Sequence, residues 1–84
     1  MTREQQLKQR TAALRAIQGF VATYPRYSPP SYRRIAAQLN QTDIKTTWGN
    51  DWTPKRVLRF LQRMGYSGLH GVKAEQYGRP RILR

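Results

Sequence analysis

Three of the chain's five prolines fall within seven residues, Tyr24-Pro-Arg-Tyr-Ser-Pro-Pro30, and no regular helix or central strand runs through such a stretch. Proline lacks the N–H that a helix interior or a strand ladder uses, and it pushes the preceding residue toward extended backbone. The segment is therefore an extended connector that joins two helical patterns at a fixed angle. Upstream, residues 2 to 24 read as one long helix, begun by a capping box of Thr2 and Gln5. Its apolar stripe is Leu7, Leu14, Ile17, Val21 and Tyr24, flanked by Ala13 and Phe20. That spacing also fits an a/d seam, so the stripe either packs on its own domain or pairs two copies as a homodimer. Downstream, Ser31 caps a second helix through Asn40, in which Tyr32, Ile35, Ala36 and Leu39 share a face. Arg33 and Arg34 point elsewhere; close to a helix start they oppose the macrodipole, and either a phosphate or water relieves them.

A third helix has the clearest start of all. Thr53 can accept from the first free amides, and Pro54 sits where a missing N–H costs nothing. At about 100° per residue, Lys55, Arg56, Arg59, Gln62 and Arg63 fall within an arc of roughly 120°. Val57, Phe60, Leu61 and Met64 take the opposite side. One face packs and the other is basic, as a helix that touches nucleic acid requires.

Composition points the same way. Sixteen Lys and Arg stand against four Asp and Glu, a formal charge of +12. Such an excess repels itself unless a polyanion shares it. Twelve of the cations are Arg, whose planar fork suits phosphates and guanine edges better than an ammonium does. There is no Cys, which excludes disulfides and thiolate metal sites. No membrane-length apolar run and no signal peptide is present, so a cytoplasmic, nucleoid-associated protein is expected, with no membrane partner. Eighty-four residues form one domain that buries about 60–65% of its unfolded surface, too little for a roomy internal active site.

Residues 41 to 52 separate the second and third helices and are too many for a tight helix-turn-helix. Ile44, Thr46, Thr47 and Trp48, the Gly49-Asn50-Asp51 turn and the returning Trp52 predict a small β-hairpin. The two Trp rings face each other across it, either capping a small core with Ile44 or stacking on exposed bases. After Met64, three glycines in seven residues loosen the backbone, and the remainder reads as a strand-like patch and a basic tail. The expected fold is mainly α: a three-helix, helix-turn-helix-like domain with a β-hairpin between helices 2 and 3. It occupies residues 1–68, and residues 69–84 form a flexible, extended C-terminal tail.

Residues 31 to 68 also carry a recognisable pattern. Ser31, Arg34, Ile35, Ala36, Leu39 and Asn40 are followed by Ile44-Lys-Thr46, Gly49, Trp52-Thr53, Val57, Leu61, Tyr66 and Gly68. This resembles the recombinase domain that follows the catalytic domain of large serine recombinases. The resemblance implies a DNA-binding, winged or extended helix-turn-helix whose recognition element begins at Thr53. It also implies a chain without the catalytic domain, since the residues before Ser31 cannot hold a nucleophilic serine and its arginine cluster. Asp43 stands where the pattern usually has Gly, and Met64-Gly65 replaces the usual Asn-Pro. Separately, Gly78-Arg79-Pro80-Arg81 is similar to the minor-groove arm of DNA invertases and to the AT-hook core. The alternative for these residues is an ordinary basic tail.

Catalytic constellations are weak. Glu4, Asp43, Asp51 and Glu75 never fall at the spacing that puts two carboxylates on one helix face, and Ser67 and His70 lack an orienting acid. The expectation is a non-enzymatic, sequence-specific double-stranded DNA-binding protein with no cofactor or metal, a regulator or recombination accessory factor of a phage, plasmid or other mobile element. Its expected DNA contacts are Lys55, Arg56, Arg59, Gln62 and Arg63, with Arg33, Arg34, Arg79 and Arg81. Two rivals stand beside it: a protein of RNA or single strands that stacks bases on Trp48, Trp52 and Tyr27, and a phage-encoded inhibitor of a host protein.

Overall fold

A computed structural model of the chain describes residues 2–25, 28, 30–46, 48–76 and 78. They form four helices, α1 (Arg3–Ala22), α2 (Tyr32–Gln41), α3 (Pro54–Arg63) and α4 (Leu69–Gln76). The first three begin where local chemistry says they must. Thr2 and Gln5 exchange side-chain to backbone hydrogen bonds at 3.2 and 3.0 Å, a complete capping box. Ser31 accepts from the Arg34 amide and Thr53 from the Arg56 amide, both at 3.2 Å.

The helices close around one core. Ala13, Ile17 and Val21 of α1 meet Ile35, Ala36 and Leu39 of α2, Val57, Phe60 and Leu61 of α3, and Leu69 and Val72 of α4. Each Val, Leu or Ile among them, fully buried, contributes about 1.5–3 kcal/mol. The α1 stripe is used only in its second half. Ala13, Ile17 and Val21 repeat every four residues and are buried, Leu14 is partly covered, and Leu7 is 50% exposed.

The expected hairpin between α2 and α3 is absent: no strand occurs among the described residues. Its place is taken by a loop whose backbone is satisfied by side chains. The Asn40 amide donates to the Trp52 carbonyl at 3.0 Å and accepts from the Trp52 N–H at 2.8 Å, so both groups that a strand partner needs are already engaged. Thr46 Oγ1 likewise takes the Asn50 N–H at 3.0 Å. Only a tight turn remains, with Thr46 N–H on the Asn50 carbonyl and Gly49 N–H on the Thr46 carbonyl, both 2.9 Å. Nor do the two tryptophans face each other across a hairpin. Trp52 is 4% exposed and meets Phe60 edge-on at 5.3 Å, whereas Trp48 is 70% exposed.

The ends of α2 and α3 fall at the two departures from the recombinase-domain pattern, and the first of them is explained by its geometry. Each closes in a Schellman motif, with Ile44 N–H on the Leu39 carbonyl and Asp43 N–H on that of Asn40, then Tyr66 N–H on Leu61 and Gly65 N–H on Gln62. The motif needs one left-handed residue. Gly65 supplies it in α3 at φ 90°, and Asp43 supplies it in α2 at φ 60°. Asp is among the few side chains that tolerate this region, so the position accepts either residue.

The expected count of three helices and the flexible tail from residue 69 are corrected by α4. Its cap comes from α2, because the Tyr32 hydroxyl accepts from the Leu69 amide at 3.1 Å. A Cβ on Gly68 (φ 146°) would lie 2.3 Å from that hydroxyl, which is why glycine precedes the helix. Lys73, 5% exposed, sends its ammonium from α4 to the carbonyls of Val21 (3.0 Å) and Tyr24 at the end of α1, which has no basic residue in its own last turn. That positive charge at a helix C-terminus complements the macrodipole. Tyr66, between α3 and α4, accepts from Gln18 at 3.1 Å and donates to Glu75 at 2.5 Å.

Removing the Asn40 side chain leaves two backbone groups of Trp52 without partners, so Asn40→Ala should cost about 2 kcal/mol in urea unfolding, with an unchanged slope. At Asp43, a β-branched residue is strained and glycine is not. Asp43→Val is expected to destabilise by about 1–2 kcal/mol, with Asp43→Gly neutral to stabilising in the same assay.

Candidate nucleic-acid interface

The clamp on Trp52 sets where α3 begins, since Thr53, its N-cap, is the next residue. Val57, Phe60 and Leu61 anchor the inner face of α3, which leaves Lys55, Arg56, Arg59 and Arg63 exposed outside and Gln62 half-buried. Among the described residues no salt bridge draws on these cations. Their field is therefore directed outward.

The loop stands beside this face. A cleft of about 160 Å³ opens between them, with Thr46, Trp48 and Asn50 on the loop side and Arg56, Arg59 and Arg63 along α3. The buried rings of Trp52 and Phe60 form its floor. Trp52 Nε1 has no acceptor among the described residues. The loop is tied to every neighbouring helix. Gln9 of α1 donates to the Lys45 carbonyl, Asn40 of α2 holds Trp52, and Arg56 of α3 donates to the Asp51 carbonyl at 2.7 Å. Lys45 and Asp51 close it with a salt bridge of 2.5 Å. Hydrogen bonding and charge attraction in that pair raise the lysine above, and lower the aspartate below, their ordinary pKa values.

The structure thus gathers Arg56, Arg59 and Arg63 in one cleft, with Lys55 and Gln62 on the same helix outside it. Arg33 and Arg34 lie apart, exposed around a shallow hollow on α2 shared with Ser31 and Gln38. Arg79 and Arg81 of the expected arm fall outside the described residues, as does Tyr27. Sequence reasoning did not place Trp48, Thr46 and Asn50 beside the arginines. The Gly49-Asn50-Asp51 turn was the available signal, but the orientation of the turn depends on contacts far along the chain. Ser67 is exposed in the bend before α4 and His70 is exposed on it. Among the described residues no three His, Asp or Glu side chains come together in a metal-binding group, and no helix is long and apolar enough to cross a membrane.

Residues 21–82 match the family model described as Recombinase, a span that takes in the end of α1, the whole of α2, the loop, α3 and α4. No curated protein and no solved structure matches the chain.

The Lys45–Asp51 bridge gives the loop a defined pH window. Its aspartate is depressed, so its contribution is complete above the ordinary carboxylate value and disappears as pH falls through the lowered one. Its lysine is raised, so that side is lost only as pH climbs through the raised value. Trp48 emission should therefore stay constant across neutral pH and change in acid below the usual carboxylate range and again in alkali above the usual lysine value. In Asp51→Asn that acid step should vanish.

Proposed function

The chain belongs to the Recombinase family, and from that membership together with the α3 face we infer that it binds double-stranded DNA sequence-specifically, in recombination or in regulation of a mobile element. The observation that carries this reading is the line of exposed cations on α3, unpaired by carboxylates among the described residues and held on a buried inner face. A helix so placed suits the major groove, with Lys55, Arg56, Arg59, Gln62 and Arg63 divided between base edges and phosphates. Arg59, midway along the line, is assigned to a base edge. Arg33 and Arg34, apart on α2, are assigned to flanking phosphates, which fix register without reading sequence.

Two further elements complete the reading. Arg79-Pro80-Arg81 acts as an arm in the neighbouring minor groove. The α1 surface around half-exposed Leu7, with Lys8, Thr11, Ala12 and Arg15, pairs two copies on a palindromic site. In this reading these residues contribute binding rather than bond-breaking chemistry.

Selection from a random duplex library, followed by binding assays on the selected site at fixed salt, tests the assignment. Arg59→Ala should cost about 1–3 kcal/mol and relax preference at one base pair. Arg33→Ala should weaken selected and unselected duplexes alike and reduce the salt dependence. An unchanged footprint and affinity for Arg59→Ala removes α3 as the reading helix.

A further inference from the structure

The cleft between the loop and α3 has a composition that a plain basic helix lacks. Arg56, Arg59 and Arg63 line one side, and each guanidinium has only donors. The indole of Trp52 is also donor-only, and no carboxylate among the described residues lines the cleft. Thr46 and Asn50 on the loop side are neutral, so the charge of the cleft is wholly positive and favours a ligand with acceptor oxygens and negative charge. The floor and the opposite wall, however, are aromatic: Phe60 and Trp52 below, and the exposed ring of Trp48 beside them. A free inorganic anion would use none of that apolar surface.

Trp48 does not dangle. Its turn is closed by the Thr46–Asn50 and Gly49–Thr46 hydrogen bonds at 2.9 Å and by the Lys45–Asp51 bridge. A large aromatic ring kept 70% exposed on a braced turn forgoes burial that usually stabilises a small domain. It faces the cleft that the arginines enclose.

We propose that this cleft is a clamp for one backbone unit of the bound DNA strand, with a phosphate against Arg56 and Arg63 and its deoxyribose against the Trp48 ring, Arg59 being left to its base edge. The proposal rests on the reading of α3 as a DNA-binding helix and adds a wall to it. Inside a duplex the base faces are stacked and only edges and sugars are open, so the flat ring meets a sugar and the donors meet its phosphate. The opening of about 160 Å³ leaves room for a phosphate and the near edge of its sugar. Such a contact carries no sequence information. It fixes how deeply and at what angle α3 enters the groove.

The test uses the full chain with a mixed-sequence duplex and a matched single strand, at fixed salt. Trp48→Ala should weaken duplex binding about ten-fold, by the same factor for every sequence, and Trp48→Phe should recover most of that loss. Duplex should also shift the emission of the wild-type chain, and this shift should vanish in Trp48→Phe. Because Trp48 is exposed, both variants should keep the wild-type urea midpoint. Unchanged duplex affinity in Trp48→Ala, with Arg59→Ala still impaired, overturns the clamp and leaves the proposed function standing. A loss confined to the single strand assigns Trp48 to base stacking and also overturns the clamp. Failure of the wild-type chain to bind duplex removes both readings.

Discussion

The two hydrogen bonds between the Asn40 side chain and the Trp52 backbone are the joint on which the outer half of the molecule depends. An amide side chain offers donor and acceptor side by side in one plane, and the peptide groups at Trp52 present the complementary pair. By occupying both, Asn40 does the work of a short piece of β-ladder without any strand. The last turn of α2 is thereby fixed to the residue before the cap of α3. The Trp52 ring lies in the core against Phe60, so the joint is braced by packing as well. Everything exposed on α3 inherits its position from this arrangement.

A second principle runs through the fold: helix ends are completed by distant residues. The Tyr32 hydroxyl caps α4, and the Lys73 ammonium covers the last carbonyls of α1. In a chain this small, few apolar groups are available, and an unsatisfied buried carbonyl or amide costs about 1–3 kcal/mol. Cross-helix capping joins four short elements into one cooperative unit. Apart from Arg56, which donates to the Asp51 carbonyl, the basic side chains of α3 have no hydrogen bond or salt bridge among the described residues, and the carboxylates of Asp51 and Glu75 are taken by Lys45 and Tyr66.

The proposed DNA-binding surface follows from where the remaining charge is left. Self-repulsion among unpaired cations is a standing cost that a polyanion removes. On α3 the inner face cannot rotate outward without exposing Val57, Phe60 and Leu61, so the arginines cannot scatter to relieve it. The loop adds to this face a fixed aromatic edge at Trp48.

The sequence by itself determined the starts of α1, α2 and α3. Each rests on a cap, Thr2, Ser31 or Thr53, that bonds an amide three residues away, and such local chemistry can be read in a short window. It also determined the two-faced character of α3, because helical periodicity is a property of the segment alone. The Recombinase membership was legible for the same reason, in the spacing from Ser31 to Gly68. Only the tertiary structure decided the loop, the separation of Trp48 from Trp52, and the existence of α4. Residues 44–52 have the composition of a hairpin, but Asn40 takes the backbone groups that pairing would need. Residues 69–76 contain a glycine, and they become helical because the Tyr32 hydroxyl takes their first amide and Lys73 ties them to the end of α1. Where a backbone group finds its partner within one turn, the sequence suffices; where the partner lies dozens of residues away, the folded core has to bring it there.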